Sequence, residues 1–143
     1  MCSSDLIQAM TRDAGFDVKI QSTEFATSLN LADKGDFEAY LLAWSGRPDP
    51  DGNLFSFHGC KQPLNYSGYC DAQTDALLTQ SRTLRDVAER KKVFEKVAAS
   101  VLKERPIIYL YHRNWLWAYN AKLGGVRNIP DGLLRVQGLK LAP

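Results

Sequence analysis

The residue types best suited to bind or react gather in three places. The first is Trp44-Ser45-Gly46-Arg47-Pro48-Asp49-Pro50-Asp51-Gly52-Asn53, a run dense in Pro, Gly and Asp. Arg47 carries a planar fork of donors that can grip a carboxylate or phosphate through two parallel bonds. Trp44 offers a large flat face. Pro48 and Pro50 stiffen the backbone, which lowers the entropy lost in holding side chains ready for a ligand. The same residues also fit a plain Pro-Asp-Gly turn with Trp44 in the core. A calcium loop fits less well. Asp49, Asp51 and Asn53 alternate correctly, but Gly52 comes one position early and no Glu closes the loop.

The second place is His58-Gly59-Cys60, with Cys70 separated from Cys60 by nine residues. In an oxidising compartment Cys60 and Cys70 can form a disulfide worth roughly 2.5–3 kcal/mol by loop-closure entropy. A zinc site would want tight Cys or His pairs, and only His58 and Cys60 come near that spacing. A reduced Cys60 with His58 beside it would instead suit a small thiol enzyme. Cys2 is left over. The third place is His112, which follows an apolar run and reads as structural rather than as a base. No nucleophile elbow, phosphate loop or dinucleotide fingerprint occurs.

Several elements must position these residues. Ser4 or Asp5 caps a first helix, Asp5–Ala14, with Leu6, Ile7 and Met10 on one face and Gly15 as its stop. Phe16–Ile20 alternates apolar and polar residues, as a half-buried strand does. Thr23 caps a short helix from Glu24 to about Asp33, and Lys34-Gly35-Asp36 ends it. Phe37 to Trp44 is almost wholly apolar and reads as a strand covered on both faces. The loop of Ser45 to Asn53 follows, so Trp44 and Arg47 stand at a strand end, where ligand sites in open α/β sheets collect. Residues 54–69 are aromatic and aperiodic and carry no assignment.

Asp71 caps a helix over Ala72–Thr83 with Ala76, Leu77 and Leu78 inward. Asp86 and Glu89 form a capping-box arrangement for a helix over Val87–Lys103. Its face is Val93, Phe94, Val97, Ala98, Val101 and Leu102. The charges of that helix (Arg90, Lys91, Lys92, Lys96 and Lys103 among Glu89 and Glu95) read as a solvated face. Pro106 ends it. Ile107–Tyr111 is a buried strand, and the tail, broken by Gly124-Gly125, Pro130 and Gly132, forms short strands and turns. The class is α/β or α+β, a mixed β-sheet flanked by helices.

Composition narrows the function. The chain has 143 residues, 45% hydrophobic and 24% charged, the values of one globular domain. Eighteen Lys and Arg against sixteen Asp and Glu leave +2, with no basic block. That balance argues against a nucleic-acid surface. The longest apolar runs, Ala39 to Trp44 and Ile107 to Tyr111, fall far short of the roughly 20 residues that span a bilayer. The first residues lack the pattern of a signal peptide and read instead as the start of a helix, the expectation for one piece of a larger chain.

Taken together, Phe37-Glu38-Ala39-Tyr40-Leu41-Leu42-Ala43-Trp44-Ser45-Gly46-Arg47-Pro48-Asp49-Pro50-Asp51 resembles the extracellular solute-binding proteins of family 5, which serve ABC importers of peptides, nickel and glutathione. Asn65-Tyr66-Ser67-Gly68-Tyr69 followed by Asp71, Asp75, Ala76 and Leu77 is similar to a later stretch of that family. So is the helix with Arg90-Lys91-Lys92 and Phe94 leading into Glu104-Arg105-Pro106-Ile107-Ile108-Tyr109-Leu110-Tyr111. The resemblance runs from about Ser4 to Leu141. It implies a periplasmic-binding-protein-like lobe of type II, with residues 1–143 a single lobe from the C-terminal part of a larger protein and about 120–143 a return segment toward the other lobe.

The implied function is reversible capture of a peptide or similar small solute in the periplasm for an ABC permease, without catalysis, cofactor or metal. The implied ligand-binding residues are Trp44, Ser45, Gly46, Arg47 and Asp49. Peptide-binding members carry an acid at the position of Arg47, where it pairs with the peptide's amine. A guanidinium there has the wrong sign and favours an anionic group. Asp49 restores the acid only if the loop shifts by two residues. Export would place Cys60 and Cys70 where disulfides persist. Lacking the other lobe, the isolated chain is expected to bind solute poorly and to self-associate through uncovered apolar surface. The rivals are the thiol enzyme built on Cys60 and His58 and an interaction module without a small-molecule site.

Overall fold

Acidic caps set the helices. In the computed structural model, which describes residues 3–129 and 131–141, the chain forms α1 (Ser3–Arg12), α2 (Phe25–Lys34), α3 (Asp51–His58), α4 (Ala72–Ser81) and α5 (Val87–Glu104). Two short strands follow, β1 (Leu123–Gly124) and β2 (Lys140–Leu141). The Asp71 carboxylate accepts from the Thr74 amide at 2.7 Å, and Asp86 accepts from the Glu89 amide at 2.8 Å. Each satisfies a first-turn N–H that has no partner within the helix. α2 is capped by Glu24, which accepts from the Thr27 amide at 3.2 Å, and not by the expected Thr23. Gly35 ends α2 in the left-handed conformation. Cys2 and Pro130 lie outside the described residues.

The chain divides into two compact units, residues 1–43 and 44–143. In the first, the Gln8 side chain donates to the Val18 carbonyl at 2.7 Å, and the Ser28 and Tyr40 hydroxyls meet at 3.2 Å. Ala32 is its one buried apolar residue among those described. The expected buried face of α1 is not formed: Leu6 is 51% and Met10 66% exposed.

In the second unit α4 packs on α5 and α3 on α4. Leu78, Val97 and Val101 form the core, with Leu54, Phe55 and Leu77 packed around them. Val93, Val97 and Val101 recur every four residues, so one stripe of α5 faces inward. Thr74, Leu78 and Ser81 form the inward stripe of α4, whereas Ala76 is exposed. Leu102, expected on the core face of α5, is 62% exposed.

The mixed sheet is the principal difference from the sequence reading. Residues 16–20, 37–43 and 107–111 carry no ladder among the described residues; the sheet present is an antiparallel pair, with Leu123 opposite Leu141 and Gly124 opposite Lys140. Ile108 is 79% and Tyr111 67% exposed, where a buried strand was expected. A helix closes its hydrogen bonds within its own segment, but a strand needs a neighbour to accept and donate along its edge. These three segments have the apolar and aromatic composition of strands and no such neighbour among the described residues. At Gly125, with φ +82°, any Cβ would collide with the Gly138 carbonyl, so the β1–β2 pair requires glycine there.

Candidate functional site

The loop before α3 is built around one asparagine. Asn53 Oδ1 accepts from the Trp44 indole N–H at 3.1 Å and from the Arg47 amide at 2.7 Å. Its Nδ2 donates to the carbonyls of Arg47 (2.7 Å) and Asp49 (3.2 Å). A single amide side chain therefore ties both ends of the turn. Pro50, already in a helical conformation, caps α3, so the expected loop ends at Pro50 rather than continuing through Asn53.

Trp44 lies edge-on to Phe57, with ring centroids 5.1 Å apart. The Arg47 guanidinium sits over the Trp44 ring at 4.5 Å from its centroid. Its Nη1 donates to the Gly46 carbonyl at 2.8 Å and reaches Ser45 Oγ at 3.4 Å. Nε and Nη2 make no hydrogen bond among the described residues, and the Arg47 residue is exposed. Trp44, Arg47, Asp49, Ser56 and Leu64 border an open depression. Four of the five expected ligand residues, Trp44, Ser45, Gly46 and Arg47, are thus gathered around one guanidinium.

Asp49 is engaged differently. Both its oxygens accept from Arg90, at 2.6 and 2.8 Å, and this pairing holds its carboxyl below the usual range. Asp51 pairs in the same two-bonded way with Arg82, at 2.9 and 3.0 Å. With both carboxylates paired and Asn53 Oδ1 accepting two N–H bonds, the alternating oxygens of a calcium loop are spoken for. No cluster of three metal-ligating side chains occurs among the described residues.

Asp131, a buried residue, accepts from the Leu133 amide at 3.0 Å and from Arg135. Its carboxyl is lowered by the Leu133 amide first, then by Arg135, with Arg47 adding a smaller attraction. Sequence reasoning missed Asn53 as the hub, Arg82 and Arg90 as the anchors, and Asp131. Arg90 had been read as part of a solvated face.

Cys60 and Cys70 are joined by a disulfide that links the end of α3 to the start of α4. Cys60 therefore has no thiol to act as a nucleophile. His58 is 1% exposed; its Nε2 meets the Tyr109 hydroxyl at 2.8 Å and its Nδ1 has no partner among the described residues. Burial holds its pKa below the ordinary histidine value. Above the unfolded value of about 6.5 the residue is neutral in both states. As pH falls below that value, the unfolded chain binds a proton that the folded chain resists, so stability falls. Urea midpoints from pH 7.5 to 5 are expected to drop for the parent, and His58→Gln should flatten that slope. Equal slopes would locate the effect elsewhere.

No protein-family model matches the sequence. Individual relatives do. The chain is 26% identical over 128 residues to the oligopeptide-binding protein AppA of Bacillus subtilis (strain 168), covering 87% of this chain and 24% of that protein. It is 32% identical over 113 residues to di/tripeptide-binding protein 3 of Pseudomonas aeruginosa (strain UCBPP-PA14), covering 76% and 21%. It is 25% identical over 137 residues to the peptide transport periplasmic protein SapA of Haemophilus influenzae, covering 92% and 24%. The chain thus spans about a quarter of the length of these relatives. No helix among the described residues is long and apolar enough to cross a membrane. With matches of this breadth to several peptide-binding proteins, the chain belongs to the family-5 solute-binding proteins.

Proposed function

We propose that this chain supplies part of the solute-binding surface of a peptide-type binding protein, the capture component of an ABC importer working in the periplasm. The observation that carries this reading is the Arg47 guanidinium, laid over Trp44 with Nη1 fixed to Gly46 and with Nε and Nη2 unbonded among the described residues. A fork held this way presents two parallel N–H groups to a carboxylate without first having to be ordered. The solute class favoured is a peptide or similar small molecule that places an anionic or neutral polar group here. Ser45 and Gly46 shape the approach, and Asp49 contributes from the rim. Capture and release need no bond made or broken, only closure of lobes around the solute.

The chain fits the C-terminal lobe, with residues 120–143 as the return segment. In the family-length protein, 16–20, 37–43 and 107–111 become strands of a mixed sheet whose neighbours come from the remaining three quarters of the sequence. Their composition and their lack of partners here support that reading.

A charge-assisted hydrogen bond is worth about 1.5–3 kcal/mol. Arg47→Asp in a family-length protein carrying this segment should therefore weaken the native solute by about tenfold or more. Calorimetric titration with free and N-acetylated di- and tripeptides tests this. Tight binding of free-amine peptides that vanishes on N-acetylation would mean that Arg47 does not select the ligand as proposed.

A further inference from the structure

We infer that Arg90, with Arg82 beside it, is a positioning residue for the Trp44–Arg47 loop, so that the α4–α5 hairpin sets the geometry of the solute-contacting edge. The inference rests on the reading of that loop as a solute contact, and its test separates the two.

Arg90 uses every donor nitrogen of its guanidinium inside the second unit. Nη1 and Nη2 donate to the two oxygens of Asp49, and Nε donates to the Ser81 carbonyl at 2.9 Å in the last turn of α4. Its guanidinium lies over Phe94 of α5, 5.0 Å from guanidinium carbon to ring centroid, and its side chain is only 25% exposed. Arg82 repeats the arrangement one residue beyond α4. It pairs with Asp51 through Nε and Nη2 while its guanidinium stacks 3.6 Å over Phe55.

Two planar forks therefore clamp Asp49 and Asp51 at fixed orientations. From these acids the constraint passes to the turn. The Asp51 amide donates to Asp49 Oδ1 at 2.8 Å, and Asn53 bonds the carbonyls of Asp49 and Arg47 and the indole of Trp44. A freely solvated Arg90 would leave the Trp44–Arg47 segment held by Asn53 and by the Trp44–Phe57 contact. Lysine cannot replace it, because an ammonium offers no fork and cannot reach Ser81 and both Asp49 oxygens together.

The test measures backbone and indole order by nitrogen relaxation in the 143-residue chain. In the parent, the Arg47 amide and Trp44 indole should have order parameters near about 0.85. In Arg90→Gln and in Arg90→Lys both should fall below about 0.6, while the Val97 and Val101 amides stay rigid. Asp49→Asn should give the same loss, and Asp49→Asn with Arg90→Gln should be no worse than either alone, as for two ends of one interaction. An unchanged loop in Arg90→Gln overturns the inference. So does a loss shared equally by Val97 and Val101, or a double variant whose loss is the sum of the two. In a family-length protein, Arg90→Gln should also weaken solute by about tenfold. A loosened loop with unchanged affinity would leave the positioning role standing and sink the solute reading of the loop.

Discussion

Leu78→Ala is expected to cost about 2–5 kcal/mol, the range for removing a fully buried leucine and leaving a cavity. Leu78 is 0% exposed and lies where α4 meets Val97 and Val101 of α5, with Leu54 and Phe55 of α3 at the edge. Few other apolar residues are buried to that degree, so the neighbours have little spare bulk with which to fill the space. Against a typical domain stability of about 5–15 kcal/mol, such a loss is severe. Leu102→Ala is the control. That side chain is 62% exposed, and its removal should stay within about 0.5 kcal/mol. Urea unfolding of the two variants checks the contrast. Similar midpoints would mean that α5 packs with a different face in solution.

Removing the Cys60–Cys70 bond is expected to lower stability by roughly 2.5–3 kcal/mol, by the entropy of the closed loop in the unfolded chain. The effect should be concentrated in the unfolded state, because the loop has other native ties. Asn65 Nδ2 donates to the carbonyls of Gly59 (2.8 Å) and Tyr69 (2.6 Å), and the Cys60 amide donates to Asp75 at 2.8 Å. Those bonds should hold the loop in place once folding has occurred. Urea midpoints of the oxidised chain and of the Cys60→Ser, Cys70→Ser variant give the difference. Peptide mapping without reductant should recover the linked pair from exported protein, and two freely alkylated thiols there would contradict it.

How much could be read in advance depends on how far each interaction reaches along the chain. The caps at Asp71 and Asp86 were legible because each bonds an amide three residues away. The inward stripe of Val93, Val97 and Val101 was legible from its spacing alone. α3 was not, because Asp51–His58 has no apolar period and follows two prolines that read as a turn. The site divides in the same way. Trp44 and Arg47 could be named as candidates from their types and their place after an apolar run. Their anchors could not, since Arg82 lies 31 residues from Asp51 and Arg90 lies 41 from Asp49. Local spacing marked Arg90 as one more cation on a solvated helix.

Residue order alone carried the caps at Asp71 and Asp86 with the helices they start, the strand-like character of 16–20, 37–43 and 107–111, and the choice of Trp44 and Arg47 as candidates. Family membership, too, was carried by the order of its segments. It took the folded chain to show that Arg90 bonds both oxygens of Asp49, that Asn53 ties the turn, and that His58 is buried against Tyr109. It also showed those three segments without ladders among the described residues. The physical reason is common to all of these. A helix satisfies its donors and acceptors within four residues, so its pattern is written locally. A strand, a guanidinium fork and a buried imidazole are completed by groups far away in the chain, and their state is fixed only when those groups arrive.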